Sequence, residues 1–176
     1  MEGQAVSDAL AGLVCVLGWL LWSLLIGWLA HRLPPQALDH DTWLTGRRPW
    51  PESRHGFERR LAIRLWKSLL PDAGTAFPGG VAKNSLVGRD RLTLQRLLEE
   101  TRRAELVHLA LWPFWIVTAL WLPPAGVLIN LLFATLFNLP CLWLQRYNHL
   151  RVQRTLQVLT RRPSSSRSTP IPSSSA

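Results

Sequence analysis

Two apolar blocks joined by adjacent prolines decide the fold: residues 106–144 read LVHLALWPFWIVTALWLPPAGVLINLLFATLFNLPCLWL. Neither block contains Asp, Glu, Lys or Arg, and Pro123 and Pro124 separate them. At about 1.5 Å per residue, each block reaches or approaches the length that crosses a hydrocarbon core of roughly 30 Å. The sequence therefore predicts a tight hairpin of two transmembrane helices, which bend at Pro113 and Pro140.

A third apolar block lies near the N-terminus, where residues 9–30 read ALAGLVCVLGWLLWSLLIGWLA without a charged side chain. A cleaved signal peptide would begin with a basic region and carry a shorter apolar run. Here the lead-in contains Glu2 and Asp8 instead. We therefore expect a first transmembrane helix rather than a signal peptide.

The distribution of basic residues predicts the orientation. Residues 1–8 contain no Lys or Arg, residues 31–105 contain 14, the hairpin tip contains none, and residues 146–176 contain 6. By the positive-inside bias, the N-terminus lies outside the cell and the C-terminus in the cytoplasm, as in a multi-pass protein of a bacterial cell membrane. A nucleic-acid partner is not expected despite the net charge of +9, because no soluble aromatic and basic module is visible.

The remaining segments complete an all-α membrane protein. In FERRLAIRLWKSLLPDAG, apolar residues recur every four positions from Phe57 to Leu69 between arginines, which predicts a basic amphipathic helix ending at Pro71. That helix suits either the inner membrane surface or the rest of the cytoplasmic segment. FPGGVAKNSLVG lacks the spacing of a phosphate-binding loop, and the Ser-rich tail is predicted to be disordered. We predict four divisions. They are an N-terminal transmembrane segment (1–31), a cytoplasmic segment of loop and amphipathic helices (32–105), a transmembrane hairpin (106–145), and a basic helix extension with the tail (146–176).

The stretch ETRRAELVHL carries charge up to the edge of the hairpin. A helical wheel places Glu105 and His108 side by side on the same face as Leu94, Leu97, Leu98, Thr101 and Trp112. Arg96, Glu99 and Arg103 share the opposite face, with the spacing of solvated surface pairs. Glu105 and His108 therefore extend a stripe that must pack on protein.

The second arm of the hairpin carries a matching stripe of small and polar residues: Asn130, Ala134, Asn138, Cys141, Gln145 and Asn148. Folding the chain at the two prolines brings positions whose numbers sum to about 247 to one level. His108 should then meet Asn138 and Cys141, Glu105 should meet Cys141 and Gln145, and Thr101 should meet Arg146. Ionisable groups at membrane depth usually serve a function, and an interhelical hydrogen-bond clamp is the structural alternative.

This cluster suits acid–base chemistry. A histidine oriented by a glutamate can remove a proton from a hydroxyl group, so His108 and Glu105 are the candidate catalytic residues. The candidate substrate-binding residues are Asn138, Gln145, Arg146, Tyr147, Asn148 and Arg103. Arg146, Tyr147, Asn148 and Arg151 have membrane anchoring as their alternative role.

Other chemistries fit the sequence less well. The motifs H-x-x-x-x-D and G-x-S-x-G are absent. Glu105 and His108 have the spacing of di-iron ligands, but a di-iron site needs further carboxylates that the apolar blocks lack. Cys15 and Cys141 lie in apolar blocks, where a small buried side chain is favoured over a reactive thiol. We expect neither a metal nor a cofactor.

Three stretches together resemble a known family: RLWKSLLPDAG at 64–74, ETRRAELVH at 100–108 and FNLPCLWLQRYNHLR at 137–151. They closely resemble the glycosyl-4,4'-diaponeurosporenoate acyltransferases of staphyloxanthin-type carotenoid synthesis, over roughly residues 57–162. The resemblance implies transfer of a fatty acyl group, from acyl-CoA or an acyl carrier protein, to a sugar hydroxyl of a glycosylated carotenoid acid. Membrane lipid and carotenoid substrates are the implied partners.

The chain departs from the family pattern at two positions. Leu109 stands where the pattern has Trp, and His149 where it has Arg. Both substitutions bear on the acceptor pocket, so the exact carotenoid stays open. Two alternatives also stay open: a non-enzymatic membrane partner whose polar stripes form a clamp, and a metal-dependent lipid-modifying enzyme.

Overall fold

The computed structural model describes residues 2–46, 54–69 and 90–161, and these residues form helices and turns without a β-strand. The prediction of an all-α membrane protein is confirmed. Two 3₁₀ turns, Pro35–Leu38 and Lys67–Leu69, accompany six α-helices in this part of the chain. The helices are α1 (Glu2–His31), α2 (Arg54–Arg60), α3 (Ile63–Trp66), α4 (Arg91–Leu111), α5 (Phe114–Thr118) and α6 (Pro124–Arg161). The loop 77–88 and the tail 162–176 lie outside the described residues.

Two helices are long and apolar enough to cross a membrane: Ser7–His31 within α1, and α6. The apolar side chains of α1 project outward, as lipid contact requires, and Val16 and Leu21 are 66% and 65% exposed. The first of the three predicted spans and the second arm of the hairpin thus correspond to continuous helices. The chain is a membrane protein.

The other predicted span, residues 106–122, is not one helix. α4 ends at Leu111, α5 covers Phe114–Thr118, and turns lead from there to Pro123. Pro113 explains the break, because it has no backbone N–H to donate and its ring crowds the preceding turn. The helix is therefore interrupted at this proline, where only a bend was expected.

The interrupted segment still packs against α1. The indole of Trp22 donates to the carbonyl of Ala110 at 3.1 Å. The ring of Trp19 meets Phe114 edge to face at 4.8 Å, and Phe114 is buried. Three helical segments consequently pack side by side as one layer: α1, the end of α4 with α5, and the first half of α6.

Beyond this layer, α4 and α6 continue side by side as an antiparallel pair. Asp90 caps α4 by accepting a hydrogen bond from the backbone N–H of Thr93 at 2.9 Å, and hydrogen bonds from the Thr93 side chain and from this N–H lower the pKa of Asp90. Leu94 and Leu97 of α4 pack on Val152 of α6 in a buried cluster. α6 passes through Pro140 without a break and extends to Arg161.

The predicted amphipathic helix at 57–69 is divided in two. Ala62 adopts a left-handed backbone conformation, with φ of 46°, between α2 and α3. This turn buries Phe57 and Ile63 together, whereas Leu65 and Leu69 are each 81% exposed. The four-residue period therefore failed here, because packing on α6 outweighed the cost of a left-handed alanine.

Candidate active site

Eight residues pair through their polar side-chain atoms between the two arms of the hairpin. We call these eight residues the polar seam. Four hydrogen bonds of 2.8 to 3.1 Å form it. From the hairpin tip toward the C-terminus of α6, the pairs are Trp112 with Thr135, His108 with Asn138, Glu105 with Arg146, and Thr101 with His149. Side chains that can donate or accept protons thus lie at the edge of the apolar layer.

His108 is held in one orientation by Asn138. Its Nδ1 lies 3.1 Å from Asn138 Oδ1, while Asn138 Nδ2 donates to the carbonyl of Ala134 at 2.9 Å. Because the amide N–H is engaged with the backbone, the amide oxygen must accept from His108 Nδ1. The neutral imidazole then has its basic lone pair on Nε2. The predicted proximity of His108 to Asn138 is confirmed.

Glu105 forms an ion pair with Arg146. Arg146 Nε donates to Glu105 Oε1 at 2.8 Å, and the two side chains are only 15% and 5% exposed. Arg146 Nη2 also donates to the carbonyl of Leu44 at 3.1 Å. The guanidinium therefore joins the helix pair to the segment that follows α1.

The predicted register was one helical turn off at two of its levels. Arg146 was expected opposite Thr101, but it reaches back to Glu105, and Thr101 bonds to His149. The paired positions sum to 246 and 247 near the hairpin tip but to 250 and 251 further along, so the two helices are offset by about one turn beyond Asn138. Gln145 and Cys141, the expected partners of Glu105, are half-buried on α6.

His149 has a hydrogen-bond partner at each ring nitrogen. Thr101 Oγ1 donates to the carbonyl of Leu98 at 2.7 Å, so it accepts from His149 Nδ1 at 3.0 Å. Gln153 Nε2 lies 3.0 Å from His149 Nε2 and donates to it. Both ring nitrogens of this second imidazole are therefore engaged, and Thr101 is fully buried beneath it.

A narrow cleft opens beside the polar seam. Its volume is about 350 Å³ including the part open to solvent. Residues from four parts of the chain line it: Asp41, Thr45, Phe57, Glu105, Arg146, His149, Leu150 and Gln153. Glu105 and Arg146 are thus the predicted site residues that face this cleft, while His108 lies one turn deeper along α4.

Arg102 holds Asp41, which lines the cleft, and sequence reasoning did not select Arg102 as a site residue. It is 6% exposed and donates to the carbonyl of Leu38 and to the carboxylate of Asp41. These bonds fix the segment 38–46 over α4. The motif ETRRAELVH contained Arg102, but its burial depends on a segment some sixty residues away.

Three other predicted site residues have different surroundings. Tyr147 is buried, and its hydroxyl donates to Glu58 Oε1 at 2.9 Å. Asn148 is half-buried on α6. Arg103 donates to the carbonyls of Ala30 and His31 at 2.8 and 3.0 Å, and so caps the C-terminus of α1 away from the cleft.

A cluster of charge lies on the Tyr147 side of α6. Lys67 Nζ and Arg151 Cζ lie 5.9 and 5.8 Å from the centre of the Tyr147 ring. Burial lowers the pKa of Lys67, the nearby Arg151 and Arg64 lower it further, and Glu58 opposes them. Within 2–46, 54–69 and 90–161, three or more His, Cys, Asp or Glu residues do not gather into a metal-binding group.

Comparison with known proteins identifies the family. A family model described as glycosyl-4,4'-diaponeurosporenoate acyltransferase matches residues 40–158. Proteins of that name from Staphylococcus aureus strains USA300 and NCTC 8325 / PS 47 are each 26% identical over 151 residues. These alignments cover 84% of this chain and 89% of each relative. No solved structure matches the chain.

The matched region contains the whole polar seam and every residue that lines the cleft. It leaves out α1 and the tail. Because the match covers more than half of the chain and includes the entire candidate site, the chain belongs to the glycosyl-4,4'-diaponeurosporenoate acyltransferase family, the acyltransferases of staphyloxanthin-type carotenoid synthesis.

Proposed function

We propose that this protein esterifies a sugar hydroxyl of a glycosylated carotenoid acid with a fatty acyl group. The observation that carries the proposal is the pair of neighbouring contacts His108–Asn138 and Glu105–Arg146 at the edge of the apolar layer. A glycosylated carotenoid has an apolar chain that dissolves in the bilayer and a sugar that stays at its surface. A site at this edge meets both parts of such a substrate.

His108 is the proposed general base. Asn138 holds its Nδ1–H, so Nε2 accepts the proton of the sugar hydroxyl. The sugar oxygen attacks the acyl carbonyl carbon of a thioester, and a C–O bond forms. When the tetrahedral intermediate collapses, the C–S bond breaks, and the sulfur leaves with the proton returned by His108. The step needs only a thioester donor and the hydroxyl acceptor.

Arg146 is the proposed stabiliser of the oxyanion. Its guanidinium lines the cleft and is held there by bonds to Glu105 and to the carbonyl of Leu44. A fixed positive charge beside the developing negative oxygen lowers the barrier of an acyl transfer, and Gln145 on the preceding position adds an amide donor. Glu105 then acts by positioning Arg146. This differs from the role first expected for Glu105, that of orienting His108.

The proposed arrangement places the site on the cytoplasmic side. α1 runs from outside to inside, the interrupted segment 106–122 returns outward, and α6 comes back into the cytoplasm. Arg32 and the basic residues of α2 and α3 then lie at the inner surface, as the positive-inside bias requires. The four divisions 1–31, 32–105, 106–145 and 146–176 follow this path.

A pigment assay tests the function. The chain is expressed in a host that makes the glycosylated carotenoid acid but lacks its own acyltransferase. We expect acylated pigment with the wild-type chain. His108→Ala should lower the rate of acylation by about 10² to 10⁴ and accumulate the unacylated glycoside.

His55→Ala is the matched control, because His55 is exposed on α2 away from the polar seam. Membrane abundance of all three proteins is measured by immunoblot. Wild-type levels of acylated pigment with His108→Ala would assign His108 to a structural clamp. Absence of acylated pigment with the wild-type chain, at normal abundance, would reject the proposed reaction.

A further inference from the structure

Three cations converge on one side of α6 from two distant parts of the sequence. Arg64 and Lys67 lie one turn apart in the run α3 to Leu69, and Arg151 lies on α6. Lys67 and Arg151 both lie within about 6 Å of the Tyr147 ring, the usual limit of a cation–π contact. The fold, rather than the sequence order, brings these charges together.

The cluster is not neutralised by the acid beside it. Glu58 is the carboxylate that acts on Lys67, and it also accepts the Tyr147 hydroxyl. Among the described residues named here, three positive charges surround one negative charge, which is an excess of two. Burial lowers the pKa of Lys67, and charge repulsion from Arg151 and Arg64 lowers it further. A bound anion would remove this repulsion.

We infer that Arg64, Lys67 and Arg151 bind the phosphate groups of the acyl donor, and that this donor is a nucleotide-bearing acyl thioester of the coenzyme A type. The inference rests on the proposed acyl transfer. A compact set of three cations suits several phosphates on one small molecule. An acidic carrier protein would instead present its charges over a wide surface.

The position of the cluster fits such a donor. Arg151 and Asn138 are thirteen residues apart on α6, about 20 Å along the helix axis. Thioesters of this class carry the reactive carbonyl at the end of a long flexible arm. Phe57 contacts the Tyr147 ring and also lines the cleft, so the cations and the cleft lie on either side of the same buried aromatic pair.

Equilibrium binding of coenzyme A to the full chain tests the inference. The protein is held in nanodiscs of zwitterionic phosphatidylcholine, and titration calorimetry gives Kd. We expect the triple variant Arg64→Gln, Lys67→Gln, Arg151→Gln to raise Kd at least tenfold. Arg161→Gln should leave Kd unchanged, because Arg161 is an exposed arginine about 15 Å further along α6.

Three results would overturn the inference. The triple variant could bind coenzyme A as the wild type does. Pantetheine, which lacks phosphate, could compete equally well. Anionic phosphatidylglycerol in the nanodisc could abolish binding, which would make lipid phosphate the occupant. Circular dichroism checks folding, and Lys67→Gln alone, expected to weaken binding severalfold, replaces the triple variant if that protein does not fold.

The pigment assay separates this inference from the proposed function. Loss of coenzyme A binding in the triple variant with undiminished acylated pigment would remove the donor role and leave acyl transfer standing. Intact binding by a wild-type chain that makes no acylated pigment would reject the reaction and leave the anion site standing.

Discussion

Arg146 and Glu105 form a largely buried ion pair, with 2.8 Å between Nε and Oε1, that joins α6 to α4. The same guanidinium bonds to the carbonyl of Leu44 in the segment that covers the cleft. One side chain therefore holds three parts of the chain around the proposed oxyanion position. The pair has both a structural and a chemical role, and variants can separate the two.

Breaking the ion pair should destabilise the protein strongly, whereas replacing both partners with apolar residues should destabilise it much less. Glu105→Ala leaves a buried guanidinium unpaired, which typically costs about 3–5 kcal/mol. The double variant Glu105→Leu, Arg146→Met should recover most of that loss, because apolar side chains of similar volume fill the space. Thermal unfolding in detergent measures the stability of each protein.

The pigment assay distinguishes the chemical role of the same pair. The double variant should remain inactive although it is stable, since it lacks the guanidinium. Acylated pigment at the wild-type level from this stable protein would mean that Arg146 does not stabilise the oxyanion.

Asn138 is expected to position His108. Asn138→Leu removes the acceptor for His108 Nδ1 and should reduce acylation by about tenfold or more. Asn138→Asp keeps an acceptor oxygen and should retain more activity than Asn138→Leu, even though it loses the donor to Ala134. Equal activity of the two variants, at equal abundance in the membrane, would show that the acceptor oxygen has no part in the reaction.

Gly18 is expected to be a packing position between α1 and α5. A Cβ at this residue would lie 2.9 Å from Cζ of the buried Phe114, whereas nothing lies within 4 Å of a Cβ at Gly12. Gly18→Leu should destabilise the protein by about 1–3 kcal/mol through overpacking. Gly12→Leu is the control and should not be destabilised, so a comparable fall in thermal stability for both would refute close packing at Gly18.

The pKa of Lys67 predicts a pH dependence of stability. In the folded protein this pKa lies below the ordinary lysine value of 10.5, so between the two values the unfolded chain binds more protons. Stability should therefore rise with pH through that interval. Thermal unfolding of the wild type and Lys67→Met between neutral and alkaline pH measures it. A rise of the same size in both proteins would assign it to another group.

The orientation of the chain can be tested with one fusion. A reporter attached after Ala176 should be active only in the cytoplasm, because the basic residues are concentrated in 31–105 and 146–176 and favour the inner face. A second reporter, attached before Glu2, should be active outside the cell. Activity of the C-terminal reporter outside the cell would reverse the proposed topology.

The apolar blocks and the paired prolines by themselves determined the helical class, α1, α6 and the hairpin that brings His108 to Asn138. These features follow from local patterns: uncharged runs form helices in lipid, and Pro123–Pro124 ends one arm and begins the next. A level count across that turn was then enough to pair side chains near it, such as those of His108 and Asn138.

Only the tertiary structure decided the partners of the long and charged side chains. Arg146 bonds to Glu105 because the helix pair is offset from the predicted register at this point, and Arg102 is buried by the segment near Leu38 and Asp41. The left-handed turn at Ala62 likewise has no local signal, because it follows from packing Phe57 and Ile63 on α6. A helical wheel gives the direction of a side chain but neither its reach nor what a distant segment places over it. Contacts between segments far apart in sequence determined the cleft and the cation cluster.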